Sequence, residues 1–504
     1  MSAAALWTVI LIFMAGVCFL CWWSGRRTKK NTSGLFLGGR SLPPFVLALT
    51  IFATLQSGFS ILGFAGLWNL NGPGATISNS ICAAQTILVY IVYRRFWVAG
   101  KFYNLNSQAD YFADRYESPK ALRLIVGIIG LCAVIGSHFT AQLTAMGTMV
   151  STISGGAISY DSGMIVLAVV MMIVCLLGGL RGLATADAVM GVGILTGLAV
   201  IAIGVLSGAK TTVSQVYKDL GAIGKEIITL PGESGTFTPQ MLISWFVTYA
   251  FGATMLPHMF TKNYTAASIK NYKSTPLWYL LACFIMFPLI LIIIGPLGRL
   301  YVDTSVLSTT DQVVPTLITT FVNQNWVIAM LLVAFLCAIV STGAAALLTL
   351  SQILTVDIFK VIFPNKSEKT YFWVGRVGFV LFTAIGLLLV YNPPAALGYM
   401  MTANLGMSAM LFFPAVLGLY WKRMNKAGCY AGIIAGAAAF IYFTWIYKGG
   451  LLLGFNANFW TVVIGLIAII IVSLATKPSS EDALNKYYFR INKALHGVAE
   501  IDNQ

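Results

Sequence analysis

Side chains able to do chemistry are scarce in this sequence, and those present sit among apolar residues. In Ala338-Ile339-Val340-Ser341-Thr342-Gly343, offsets of three and four put the Ala338 carbonyl and the Ser341 and Thr342 hydroxyls on one helix face. Three uncharged hard oxygens in that pattern suit an alkali cation. The alternative use of the same hydroxyls is to bond back to carbonyls of their own helix. Asp187, in Thr185-Ala186-Asp187, is the one carboxylate expected inside an apolar segment, where an ionised acid is costly and defaults to function. Capping orphan amides or pairing with Arg181 is its structural alternative. His138 lies within an apolar run, His258 follows Pro257, and His496 lies near the carboxyl end. None has a carboxylate or second histidine at ligand spacing, so no metal other than an alkali cation is expected. Phosphate-binding Gly-Lys motifs, nucleophile elbows and H-E-x-x-H are absent from the sequence, which argues against an enzyme and against ATP-driven pumping. No cofactor is expected.

The element that must position these residues is the membrane-spanning helix. Of 504 residues only 9% are charged and 58% are hydrophobic, and the mean hydropathy of +0.84 excludes a soluble globular enzyme. The net charge of +15 would suggest a nucleic-acid binder in a soluble chain. Here its distribution is an orientation signal, and no nucleic-acid partner is expected. Apolar stretches occur near 4–23, 41–70, 76–98, 122–152, 161–179, 184–207, 239–260, 276–300, 326–356, 371–391, 396–421, 427–447 and 457–476. The first has no preceding basic residue and is followed at once by Arg26, Arg27, Lys29 and Lys30, the mark of a retained helix with its amino end outside. Alternating sides from there puts 25 of the 31 basic residues in cytoplasmic segments, including 261–275 and 477–504. The expected architecture is an all-α integral membrane protein of about thirteen helices in the cytoplasmic membrane, its lipid bilayer a partner. Residues 1–476 are expected to form one membrane domain and 477–504 a short cytoplasmic tail. The eight cysteines lie in or beside apolar stretches, so Cys18-x-x-Cys21 is read as apolar filler and no disulfide framework is expected.

A helix in lipid must satisfy its own backbone, so small and polar residues at mid-depth mark where a helix opens around a ligand. Ala53-Thr54-Leu55-Gln56-Ser57-Gly58 in the second stretch and Tyr249-Ala250-Phe251-Gly252-Ala253-Thr254 in the seventh have that composition. They are five stretches apart, as an inverted repeat of five helices (41–207 and 239–421) would place them. Close packing of small residues is the alternative explanation.

Phe36-Leu37-Gly38-Gly39-Arg40-Ser41-Leu42-Pro43, Asp110-Tyr111-Phe112-Ala113-Asp114-Arg115-Tyr116, Gly178-Gly179-Leu180-Arg181, Leu256-Pro257-His258-Met259 and Leu419-Tyr420-Trp421-Lys422-Arg423 resemble signatures of the sodium/solute symporters, in order, over about 36 to 427. The resemblance is to the proline, pantothenate and monocarboxylate branch. It implies the leucine-transporter-like fold of two inverted five-helix repeats and sodium-driven alternating access. Carried over by position, it implies a sodium site from the carbonyls of Ala53, Gln56 and Ala338 with the hydroxyls of Ser341 and Thr342. Asp187 matches the family acid on the ion-release side, although Thr185 and Ala186 stand where relatives often have Trp and Thr. Ala344 and Ala345 occupy the turns where some members hold a second sodium, so one sodium per cycle is expected. Trp245, Tyr249 and Pro257 match substrate-cavity positions, and His138 and Gln142 could add polar contacts. Amides near Ser57 and Gly58 could receive a carboxylate. Proline carriers tend to have an aspartate where this chain has Leu55. The expected solute is a small carboxylate, with proline, pantothenate or a sensing role as alternatives.

Overall fold

The computed structural model describes residues 2–322, 324–391 and 405–497. The start of the eleventh stretch, expected at 396, and the tail beyond 497 lie outside the described residues. Helix α1 (Ala3–Gly25) starts behind Ser2, whose side chain accepts from the Ala5 amide. The second passage is in two pieces, α2 (Pro44–Leu55) and α3 (Phe64–Asn71), joined through Gln56 to Gly58 and a π-turn at Phe59–Gly63. Then come α4 (Ile77–Leu88, its helix running on to Phe102), the short, mostly buried helix α5 (Gln108–Arg115) and α6 (Ala121–Ile153). Helix α7 (Tyr160–Gly208) is two passages joined at Gly179, whose φ of 52° and ψ of −158° are open to glycine alone at low strain. The seventh passage is again split, into α8 (Pro239–Met255) and α9 (Pro257–Asn263). Helices α10 (Asn271–Tyr301), α11 (Asn325–Ile362), α12 (Glu368–Val390), α13 (Leu405–Tyr420), α14 (Lys426–Ile446) and α15 (Ala457–Ala475) complete the series.

Nine helical stretches among the described residues are long and apolar enough to cross a membrane. Two are double, since Phe59–Phe102 turns at Gly72 and Tyr160–Gly208 kinks at Gly179. Helix α2 completes the passage that Phe59–Asn71 begins, so adding the α8/α9 pair and the shorter α13 gives about thirteen passages, the number expected. All eight cysteines are free.

Helix α11 is the axle of the bundle: every residue from Ala334 to Ile353 is buried. Its helix continues to Ile362 and carries Asp357 into the interior, where the sequence reading put a loop. Several residues of the family signatures are scaffold. The Arg40 guanidinium donates to the Gly100 and Leu105 carbonyls at 2.7 Å each, tying the entry of α2 to the end of α4. Arg115, 1% exposed, donates to the Gly418 carbonyl in the last turn of α13 and to the Met424 carbonyl beyond it, and the Tyr111 hydroxyl donates to Ala415. The tail is helical over 481–496, with Tyr487 buried against the rings of Tyr103 and Tyr111.

Close approach of α1 to α7 depends on Gly178 and Gly182. A Cβ at Gly182 would lie 2.6 Å from the Cys21 carbonyl oxygen, a backbone atom that cannot rotate away. Gly182→Leu should therefore cost about 1–3 kcal/mol or more, measured as a lower unfolding midpoint in detergent. Gly16→Ala, with nothing within 4 Å of the added Cβ, should leave the midpoint unchanged.

Candidate ion and solute site

The break in the second passage sets the site. Gln56 has φ −83° and ψ 106°, so α2 stops at Leu55 and its last carbonyls lose their intrahelical donors. Helix α11 replaces them. The Ser341 hydroxyl donates to Ala53 O at 2.7 Å and lies 3.0 Å from Ala338 O. The Thr342 hydroxyl reaches Thr54 O at 2.9 Å, Gln56 O at 3.0 Å and Ala53 O at 3.5 Å. The structure thus brings Ala53, Gln56, Ala338, Ser341 and Thr342 into one buried oxygen cluster. All of these oxygens are neutral, and α2 adds the negative end of its dipole.

A charged group stands beside this cluster. Asp187, fully buried in α7, accepts through Oδ2 from Thr50 Oγ1 at 2.5 Å, Thr54 Oγ1 at 3.3 Å and Lys262 Nζ at 2.8 Å. Lys262, 1% exposed on α9, also reaches Thr50 O at 2.8 Å, Thr50 Oγ1 at 2.7 Å and Thr54 Oγ1. Asp187 lies within the second half of α7, so it neither caps a helix nor pairs with Arg181. The sequence reading missed Lys262 by counting it among the loop charges of 261–275. The available signal was the rule that an intramembrane acid needs a partner, with Lys262 the nearest base beyond the split in the seventh passage.

On the other side of the break is a cavity of about 60 Å³, walled by Gln56, Ser57, His138 and Tyr249 among residues named in the sequence reading. Among the described residues, its wall has no charged side chain. Polar groups the sequence reading missed also line it: Ser60, Ser78, Gln85 and Tyr279. Gln85 bridges, donating to Tyr249 O at 3.2 Å and accepting from the Tyr279 hydroxyl at 2.7 Å. A single amide or phenol in an apolar helix has no periodicity to mark it. The Ser57 side-chain oxygen is buried with no protein partner. The two amides at the break are engaged, Ser57 N with Ser60 Oγ at 3.2 Å and Gly58 N with Gln142 Oε1 at 2.9 Å, so a carboxylate would have to displace those acceptors.

The remaining residues stand back from the wall. Gly58 packs on Ala145 and Ile339, and Gln142 spans from Gly58 N to His138 O. Trp245 stacks on Tyr249 with centroids 5.2 Å apart. Pro257 lies in a separate crevice with Ser107, Gln108 and Asp357. His258 has neither ring nitrogen bonded and faces the His138 ring at 4.9 Å. Between this level and a wide polar vestibule of about 510 Å³ lies a hydrogen-bonded layer. In it Ser107 Oγ donates to Asp357 at 2.6 Å, Arg123 pairs with Asp357 at 3.3 Å and with Asp110, and Gln352 joins Asn106 O to Thr261.

A profile of the sodium:solute symporter family matches residues 35–436. The sodium/pantothenate symporter of Haemophilus influenzae is 26% identical over 478 residues, covering 92% of this chain and 94% of that one. The sodium/proline symporter of Escherichia coli is 26% identical over 520 residues, covering 97% and 96%. A Na+-coupled sialic acid symporter, solved substrate-bound and outward-open, matches with a TM-score of 0.78 at 17% identity, covering 95% of this chain and 99% of that one. Mhp1 in its inward-facing conformation matches with a TM-score of 0.51 at 15% identity, covering 88% and 94%. The architecture is the leucine-transporter-like fold of two five-helix repeats.

Gln142 is the acceptor that holds the opened backbone at Gly58. Gln142→Leu leaves that buried amide unpaired and should cost about 1–3 kcal/mol, measured as a lower unfolding midpoint of the purified protein.

Proposed function

The chain belongs to the sodium:solute symporter family and is a multi-pass membrane protein that couples solute transport to sodium, and from that premise we propose that it imports a small monocarboxylate or related carboxylate with one sodium ion. The single observation that carries the coupling is Gln56. Its carbonyl belongs to the oxygen cluster and its side chain lines the cavity, so an ion on one side and a solute on the other act on the same residue. Sodium is held by Ala53, Gln56 and Ala338 carbonyls and by Ser341 and Thr342, whose hydroxyl protons turn away to present lone pairs. Asp187 lies on the release path. Each ligand then raises the affinity of the other by the same factor.

The cavity supports a small solute. With about 60 Å³ of free space the cavity is small, which favours a short carboxylate over the longer pantothenate. Ser57, Gln85, His138 and Tyr279 offer polar contacts, while Tyr249, with Trp245 behind it, closes the apolar side; Gly58, Gln142 and Pro257 act on the wall from behind. The named relatives favour pantothenate or proline as the second reading. The arginine- and lysine-rich segments support an outside amino terminus and a cytoplasmic carboxyl end. The reading treats 1–476 as one transporter domain, with core repeats at 41–207 and 239–421.

The test is uptake of labelled lactate, pyruvate, acetate, pantothenate and proline into proteoliposomes with and without an inward sodium gradient. Accumulation of a short monocarboxylate only with sodium is the expected result. Accumulation of pantothenate or proline alone overturns the solute assignment, and saturable binding without uptake favours a sensor. Ser341→Ala with Thr342→Ala should weaken the sodium dependence of uptake by about tenfold or more, two ligand hydroxyls being worth at least 1.4 kcal/mol together.

A further inference from the structure

Lys262 is surrounded as a bound cation would be. Four oxygens meet its ammonium: Thr50 O at 2.8 Å, Thr50 Oγ1 at 2.7 Å, Asp187 Oδ2 at 2.8 Å and Thr54 Oγ1. Three of them come from α2, the helix whose next turn offers its carbonyls to Ser341 and Thr342. Thr54 belongs to both sets, giving its hydroxyl to Lys262 and its carbonyl to Thr342. The two positions are therefore adjacent on one helix end, and both are sealed from solvent. Asp187 Oδ1 is buried without a partner among the described residues, so the carboxylate uses only one of its two oxygens on the pair.

A charge so close to an ion site acts on it at every moment of the cycle. In the interior a unit charge within several ångströms changes ion affinity by an order of magnitude or more, and a neutralised pair changes it far less. With Lys262 in place Asp187 is balanced, and sodium is held by neutral oxygens alone. Without the ammonium, the same acid would hold sodium by its full charge and retard release.

We propose that Lys262 is a tethered cation that cancels Asp187 and thereby sets the affinity and release of sodium at the neighbouring oxygen cluster. It is a positioning residue that acts through Asp187 and Thr54. The inference rests on the sodium site proposed above.

The experiment measures binding of radioactive sodium to the purified full-length protein and to Lys262→Met, Asp187→Asn, the Lys262→Met/Asp187→Asn double variant, and Ser341→Ala/Thr342→Ala. Lys262→Met, which exposes the acid to the ion, should bind sodium about tenfold tighter or more. Asp187→Asn, which leaves the ammonium unbalanced, should bind it about tenfold weaker or more. The double variant, with both charges removed, should return to within about threefold of the parent. A cross-link with only a structural role would shift both single variants in the same direction, following their loss of stability. Equal-sign shifts, or an unchanged affinity in Asp187→Asn, overturn the proposal. Should Lys262→Met fail to fold, Asp187→Asn and the neutral double variant carry the same test. Unaltered sodium binding in Ser341→Ala/Thr342→Ala, by contrast, overturns the location of the sodium site itself.

Discussion

The constraint on which this structure turns is a helix end with no access to water. When α2 stops at Leu55, its terminal carbonyls lose their own helix as partner, and in hydrocarbon each orphan costs several kcal/mol. Ala53, Thr54 and Gln56 are met by two hydroxyls of α11. That requirement explains why α11 runs through the centre and why small residues cluster on it. A Cβ at Gly343 would collide with the Met171 sulfur and crowd Gln142, the residue that holds the Gly58 amide. Oxygen cluster, helix break and central packing are thus one set of contacts.

The two split passages are stabilised in different ways. Between α8 and α9 the break is covalent: Pro257 lacks an N–H and keeps Leu256 out of the helical region, at φ −59° and ψ 128°. Between α2 and α3 no proline intervenes, and the open conformation is held by Ser341, Thr342 and Gln142 from outside the break and by Ser60 within it. A break held by partners can respond when one of them is exchanged for an ion. One written into the backbone persists through the cycle, and it is the steady half that delivers Lys262 on α9 to Asp187.

Apolar runs and the one-sided distribution of basic residues made the membrane architecture legible, and family signatures made the fold legible. Spacing put Ser341 and Thr342 on one helix face, but only resemblance pointed them at Ala53 and Gln56, because the contact joins residues almost three hundred positions apart. Lys262 escaped because a basic residue following an apolar run reads as loop charge, whereas the short helix after Pro257 carries it inward. Asp357 escaped likewise, since α11 outlasts its apolar stretch. Gln85 and Tyr279 lie on two different helices and meet only in three dimensions. The tail did carry a readable signal: Tyr487, Ile491 and Ala494, at helical spacing, are all buried.

Charge balance ties these parts together. Among the described residues the cavity wall has no ionised side chain, and the buried pair Lys262 with Asp187 sums to zero. Any charge brought in by the solute must therefore be balanced by the ion or be carried as net charge through a low-dielectric interior, where its desolvation is expensive. Under the proposed reading a carboxylate and a sodium ion, on opposite sides of Gln56, neutralise one another, so the doubly loaded site is easier to bury than either singly loaded one. A zwitterion would leave the sodium charge uncompensated. Under that reading a neutral wall next to the proposed ion site is itself a selectivity device: it favours a solute whose charge is opposite to that of its driving ion, and it penalises movement of the half-loaded carrier without any gate having to recognise occupancy.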